Sequence, residues 1–239
     1  MTVSTKSKRV SKRTTPKVQR DLKRILVLFI QDRSGSMSTN WIETLGGFRA
    51  FVEELRLKDD IDYRFSLTVF DDRVDNVLTA VPLKDVKIEI LAKYPPRGMT
   101  SLFDAVADTI QANATMATEV EKVICIIATD GENNASHKWG KDSLHTLIDS
   151  KLREGNWTFQ YFGTQPETWA DAANIGLGNA TVGYSVLNAP AVYAAAASAI
   201  NNFSVSALRS AGCTLTTSYA DSDKLIQAKL VTPTSDQDS

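Results

Sequence analysis

The sequence is poor in the residues that build several kinds of functional site. It contains 2 cysteines and 2 histidines among 239 residues. These are too few for a disulfide framework, and no two of them have the spacing of a zinc site. No Gly-x-x-x-x-Gly-Lys-Ser/Thr loop for nucleotide phosphates is present. The longest apolar runs, at residues 25–30, 123–128 and 189–200, are shorter than the ~20 residues of a transmembrane helix. We therefore expect no association with a membrane.

Charge is concentrated at the N-terminus. The net charge of -1 argues against polyanion binding by the whole protein. Residues 1–22 nevertheless form a basic arm, which is either a solvated tail or a segment that docks on an acidic protein surface or nucleic acid. No apolar h-region of a signal peptide follows Lys6 to Arg13, so we expect a cytoplasmic protein. Residues 1–24 contain a single acid, Asp21, and the basic residues Lys6, Lys8, Arg9, Lys12, Arg13, Lys17, Arg20, Lys23 and Arg24.

Residue patterns predict an α/β domain at residues 23–212 and a polar, partly flexible extension at 213–239. Strands are predicted at 25–30, 63–70, 74–81, 123–128, 158–162 and 181–186, the second and third as an antiparallel hairpin. Helices are predicted after a capping box at 40–43, after Ser101 with Asp104 at cap spacing, and at 144–152, 167–173 and 189–209. The apolar stripe of the first helix comprises Ile42, Leu45, Phe48, Val52 and Leu55. This alternation is typical of a doubly wound, mostly parallel sheet covered by helices on both faces.

Oxygen-bearing side chains follow two of the buried strands and precede a helix. In an extended chain Asp32, Ser34 and Ser36 point the same way, and Asp130 follows the fourth strand. Thr100 lies in the loop before the second helix, so all three segments can meet at one sheet edge. An all-oxygen set selects a hard ion such as Mg²⁺ or Mn²⁺, and its few protein ligands leave room for a carboxylate from outside.

The motif Asp32-x-Ser34-x-Ser36, followed by Thr100 and Asp130, resembles the metal-ion-dependent adhesion site (MIDAS) of von Willebrand factor type A (vWA) domains. The resemblance covers about residues 23–209. It implies a Rossmann-like six-stranded sheet with one antiparallel strand, and binding rather than catalysis. Residues 129–134 and 161–164 resemble stand-alone bacterial and phage members more than the integrin inserts. If a phage encodes the protein, we expect it in the host cytoplasm or in a virion.

Several residues near these motifs have two interpretations. Ser101 is expected to cap the second helix, which leaves Thr100 as the metal ligand. Asp71 and Asp72 fit a hairpin turn or a second layer around the metal. His137 and Trp139 fit either the rim of a binding site or an ordinary loop. Glu132 is the only candidate for a general base close in sequence to the predicted metal ligands. We do not expect it to act as one, and we expect no enzymatic activity.

The leading hypothesis is a metal-dependent protein-binding module. Its Mg²⁺ or Mn²⁺ ion, bound by Asp32, Ser34, Ser36, Thr100 and Asp130, accepts an Asp or Glu carboxylate from a partner protein. One alternative is a structural component of a phage particle or another large assembly. Another is an adaptor subunit of an ATPase or chaperone-like machine, and a metal-dependent hydrolase ranks last.

Overall fold

A computed structural model describes residues 23–164, 166–183 and 188–209, which form a six-stranded sheet with helices on both faces. The predicted arm and C-terminal extension lie outside the described residues. The strands are β1 (Lys23–Asp32), β2 (Ile61–Phe70), β3 (Val74–Pro82), β4 (Lys122–Thr129), β5 (Trp157–Gly163) and β6 (Thr181–Gly183). The helices are α1 (Trp41–Leu55), α2 (Leu102–Ala112), α3 (Ala114–Ala117), α4 (Lys141–Arg153), α5 (Pro166–Asn174) and α6 (Ala189–Arg209).

The strand order is β3-β2-β1-β4-β5-β6. Neighbouring strands are parallel, except that β2 and β3 form the predicted antiparallel hairpin. The chain proceeds from β1 towards one edge of the sheet and from β4 towards the other, so the order reverses between these two strands. A crevice therefore opens beyond their carboxyl ends, where doubly wound sheets bind ligands. The predicted fold class is confirmed.

Each face of the sheet has its own apolar core. Residues 25–30 of β1 are fully buried because helices cover both faces. On one face, the Phe29 ring lies 5.4 Å from that of Phe48 in α1 and 6.0 Å from that of Tyr193 in α6. A Cβ atom at Gly47 would lie 2.7 Å from the Tyr193 ring, so this glycine permits the close approach of α6 to α1. Helices α2, α4 and α5 cover the other face.

Two predictions of detail need correction. Ile42 was expected in the apolar stripe of α1 but is 81% exposed, because the buried stripe is centred on Phe48, Phe51 and Leu55. The Asn40 side chain makes no capping hydrogen bond to α1 and bonds Asp130 instead. Strand β6 is described over Thr181–Gly183, and residues 184–186 of the predicted strand lie outside the described residues. Within the described ranges, no helix combines the length and apolar character needed to cross a membrane.

Candidate metal centre

The crevice between β1 and β4 brings the two predicted aspartates close together. Asp32 ends β1 and Thr129 ends β4, and the Thr129 hydroxyl donates to Asp32 Oδ2 over 2.5 Å. The Ser34 backbone N–H donates to Asp32 Oδ1 over 2.6 Å. Asp130 follows immediately after Thr129. The parallel register thus places both carboxylates at the same sheet edge, as the sequence predicted.

Asp32 lies in an environment that disfavours its negative charge. Its side chain is fully buried. This burial raises its pKa to about 7 although the hydrogen bonds from Thr129 and Ser34 lower it, and the charge of Asp130 raises it further. Burial likewise raises the pKa of Asp130. Among the described residues, no Lys or Arg side chain forms an ion pair with either carboxylate. A bound cation would stabilise the charged form of both.

The two predicted serines connect these carboxylates. Ser34 Oγ and Ser36 Oγ lie 3.0 Å apart, and Ser36 Oγ donates to Asp130 Oδ1 over 2.7 Å. Ser34 is buried, whereas Ser36 is exposed and Asp130 is half-buried. The arrangement is therefore closed towards the sheet and open to solvent on the side of Ser36 and Asp130.

The space beside Gly131 shows how closely the three loops converge. A Cβ atom placed on this glycine would lie 3.2 Å from Thr100 Oγ1, 3.6 Å from Ser36 Oγ and 3.9 Å from Asp32 Oδ2. Oxygen atoms from the loops after β1 and before α2 therefore surround one point next to the loop after β4. The structure brings all five predicted residues, Asp32, Ser34, Ser36, Thr100 and Asp130, into what we call the oxygen cluster.

The composition of the oxygen cluster fits a hard divalent ion. Two carboxylates and three hydroxyls are ligands of the type that Mg²⁺ and Mn²⁺ accept. Among the described residues, no three or more His, Cys, Asp or Glu side chains are grouped so that they could hold a metal ion. The oxygen cluster differs from such a group because its hydroxyls outnumber its carboxylates. The site would be recognised by its hydroxyls and its spacing, and not by clustered acids.

A buried aspartate that the sequence placed in a hairpin turn also binds two of the loops together. Asp71 does form the turn, since Arg73 N–H donates to its Oδ1 over 2.8 Å. Its Oδ2 lies 3.1 Å from a terminal nitrogen of Arg33 and accepts a 2.7 Å hydrogen bond from Arg97 Nε. The Ser101 hydroxyl donates to the Asp71 carbonyl over 2.6 Å. Asp71 thus connects the segments that carry Asp32 and Thr100.

Ser101 occupies the N-cap position of α2, as predicted, but the predicted capping by its side chain is wrong. Ser101 precedes α2 but makes no side-chain capping bond, because its hydroxyl is used by Asp71. The Asp104 side chain instead accepts backbone N–H groups from residues 137–139. Trp139 packs against the apolar core beneath α2, α4 and α5, so the interpretation of an ordinary loop fits it better than that of a binding rim.

Structure comparison identifies several solved proteins of similar fold. Proximal thread matrix protein 1 from the mussel byssus is 19% identical over 74% of this chain and 46% of that protein, with a TM-score of 0.56. A von Willebrand factor type A protein from Catenulispora acidiphila is 15% identical over 74% and 42% of the two chains, with a TM-score of 0.57. The chain thus spans less than half the length of either protein. The TRAP protein of Plasmodium vivax is 18% identical over 71% of each chain, with a TM-score of 0.54.

Two of these proteins have a solved structure that contains a metal. One structure of the mussel protein has a zinc-occupied MIDAS motif, and the Plasmodium vivax TRAP structure is loaded with manganese. No protein-family model and no curated protein matches the sequence. At these identities the likeness to solved structures shows the fold.

Proposed function

We propose that this chain, a protein with the fold of von Willebrand factor type A domains, is a metal-dependent protein-binding module. The observation that carries the proposal is the convergence of oxygen atoms from separate loops on one point beside Gly131. Two solved proteins of this fold contain a metal in a structure, and another, SpaC from Lactobacillus rhamnosus, is a pilus adhesin. These similarities support a metal-dependent binding role.

The proposed ligands of a Mg²⁺ or Mn²⁺ ion are Asp32, Ser34, Ser36, Thr100 and Asp130. When bound, the ion supplies a positive charge that attracts an anionic oxygen. Asp32 lies at the buried end of the oxygen cluster and Ser36 and Asp130 at its open end. A partner therefore approaches from the side of Ser36 and Asp130. Because three of the five proposed ligands are neutral hydroxyls, the ion would attract a further anionic ligand, and we expect an Asp or Glu carboxylate.

The proposal assigns this centre to binding and not to catalysis. Glu132, the acid nearest in sequence to Asp130, is exposed in the loop that follows it. A screen for phosphatase and nuclease activity, with Mn²⁺ present, tests this assignment. Turnover that is lost in Asp130→Ala would favour a metal-dependent hydrolase instead.

The first experiment titrates Mn²⁺ into the wild type and Asp130→Ala by calorimetry. The wild type is expected to bind, and the variant to bind much more weakly while remaining folded, because Asp130 lies at the open end of the cluster. Asp108→Asn is the control, since this carboxylate pairs with Lys138 Nζ at the surface and lies outside the cluster. Equal affinities of Asp130→Ala and the wild type would contradict the proposed site.

The second experiment tests the partner. Immobilised wild type and Thr100→Ala are exposed to extract from the native source, each with Mg²⁺ and with EDTA. We expect a protein that is retained by the wild type with Mg²⁺ only, and whose retention is lost when its contacting Asp or Glu is replaced. Retention that is equal in all four conditions would favour a structural role in a larger assembly.

A further inference from the structure

We propose that Asp104 is a positioning residue for the metal centre, which it serves by holding the loop after β4 (residues 130–140) against α2. The inference rests on the proposed function. Asp104 lies in the first turn of α2 and is 5% exposed. Its carboxylate accepts three successive backbone N–H groups of the loop, from His137 over 2.9 Å, Lys138 over 3.0 Å and Trp139 over 2.8 Å.

The loop in turn caps the helix. Phe103 N–H and Asp104 N–H, at the start of α2, donate to the Ser136 hydroxyl oxygen over 3.0 and 3.2 Å. The first N–H groups of a helix have no partner within the helix, so Ser136 satisfies two of them from a different segment. Helix and loop therefore supply each other's missing acceptors. Neither can move away without leaving backbone donors unpaired, at a cost for each buried group.

This reciprocal capping lies directly beside the oxygen cluster. Thr100 N–H donates to Asn134 Oδ1 over 2.8 Å, and the Thr100 carbonyl accepts the N–H groups of Asn134 and Ala135, both over 3.0 Å. The loop that is held by Asp104 begins at Asp130 and includes Gly131. A shift of the loop would thus change the spacing between Thr100 and Asp130, two of the proposed ligands.

Asp104 does not itself belong to the oxygen cluster, and the described hydrogen bonds of its carboxylate all go to the loop backbone. Groups that orient metal ligands from outside the first layer typically change metal affinity by 10–100-fold when they are replaced. We expect an effect of this size. A neutral amide at position 104 would retain one acceptor oxygen but direct an NH₂ group at backbone donors.

The test compares Mn²⁺ affinities of the wild type, Asp104→Asn and Asp108→Asn. Asp108 lies one helical turn after Asp104 and contacts the same loop, but through Lys138 Nζ over 2.6 Å and not through the backbone. Asp104→Asn is expected to weaken binding about 10–100-fold, while Asp108→Asn binds like the wild type. The water-proton relaxivity of the bound Mn²⁺ should rise in Asp104→Asn, since a displaced ligand is replaced by water.

Other outcomes separate this inference from the proposed function. A lower unfolding midpoint of Asp104→Asn with unchanged Mn²⁺ affinity and relaxivity would make Asp104 purely structural and overturn the inference alone. If Asp104→Asn does not fold, Ser136→Ala decides, because it removes the other half of the reciprocal capping. Weakened Mn²⁺ binding in that variant supports the inference, and wild-type affinity refutes it. A wild type that binds no Mn²⁺ refutes the proposed function, and the inference with it.

Discussion

Replacement of Asp71 by alanine tests whether this residue connects the loops of the metal centre. The Asp71 side chain is fully buried, and the side chain of its ion-pair partner Arg33 is only 5% exposed. Removal of one member of a buried ion pair costs about 3–5 kcal/mol, because the other charge is left unpaired. Asp75 remains 2.6 Å from Arg33 and partly compensates. We therefore expect the free energy of unfolding to fall by about 3 kcal/mol.

Asp75→Ala is the matched control. Asp75 binds the same guanidinium group, but its side chain is 46% exposed and Arg33 would keep Asp71 as a partner. Exposed pairs contribute about 0–1 kcal/mol. The assay is urea unfolding at pH 7 in EDTA, followed by tryptophan fluorescence. Equal losses in the two variants would refute the argument that burial makes Asp71 the essential partner.

The pH dependence of the difference in unfolding free energy between the wild type and Asp71→Ala gives a second check. Burial opposes the ionisation of Asp71, but the hydrogen bonds from Arg97 and Arg73 and the charge of Arg33 outweigh it and hold its pKa below the ordinary 3.8. A lowered pKa stabilises the fold above the pKa of the unfolded state, and this contribution is lost as the pH falls through the pKa of the folded state. The difference between the wild type and Asp71→Ala should thus be full at pH 7 and shrink below pH 3.8. A gap that widens on acidification would contradict this sign.

Two other changes have defined outcomes. Gly131→Ala places a methyl group 3.2 Å from Thr100 Oγ1 and should lower Mn²⁺ affinity about tenfold in calorimetry. Gly140→Ala is the control and should bind Mn²⁺ like the wild type, because its added Cβ would have its nearest neighbour at 4.0 Å. Equal Mn²⁺ affinities of Gly131→Ala and Gly140→Ala would show that the point beside Gly131 does not hold the ion. Burial raises the pKa of the Cys125 thiol, so in a Cys213→Ser variant a thiol reagent should label Cys125 only after denaturant is added. Rapid labelling of the native variant would contradict the buried placement.

The parts of the fold that the sequence predicted well depend on local patterns. Buried parallel strands such as β1 are continuous apolar runs, and the link between β2 and β3 is too short for anything but a hairpin. The oxygen cluster was predictable for a related reason. The carboxyl ends of neighbouring parallel strands meet at one edge, so Asp32 and Asp130 had to lie near each other once β1 and β4 were adjacent.

The errors arise where a local pattern serves a distant contact. Ser101 and Asp104 have the spacing of a helix cap, yet each side chain bonds a segment about 30 residues away. Spacing cannot distinguish these uses, since both satisfy the same hydrogen-bonding groups. Ile42 fits the helical period of the apolar residues, but the sheet and α6 determine which side of α1 is buried. The buried side is rotated from the predicted one, so Ile42 is exposed to solvent.

The aspartates around the crevice differ in how their charges are compensated. Asp71 is neutralised by arginines, and Asp104 accepts three backbone N–H groups, so contacts within the protein hold these loops in place. Asp32 has no such cationic partner among the described residues, and its burial raises its pKa to about 7. If the loops are already ordered, the free energy of metal binding is not consumed in folding them. The proposed ion would then bind to a preorganised set of ligands. It would compensate the charge of Asp32, and it would take an oxygen ligand from a partner on the open side.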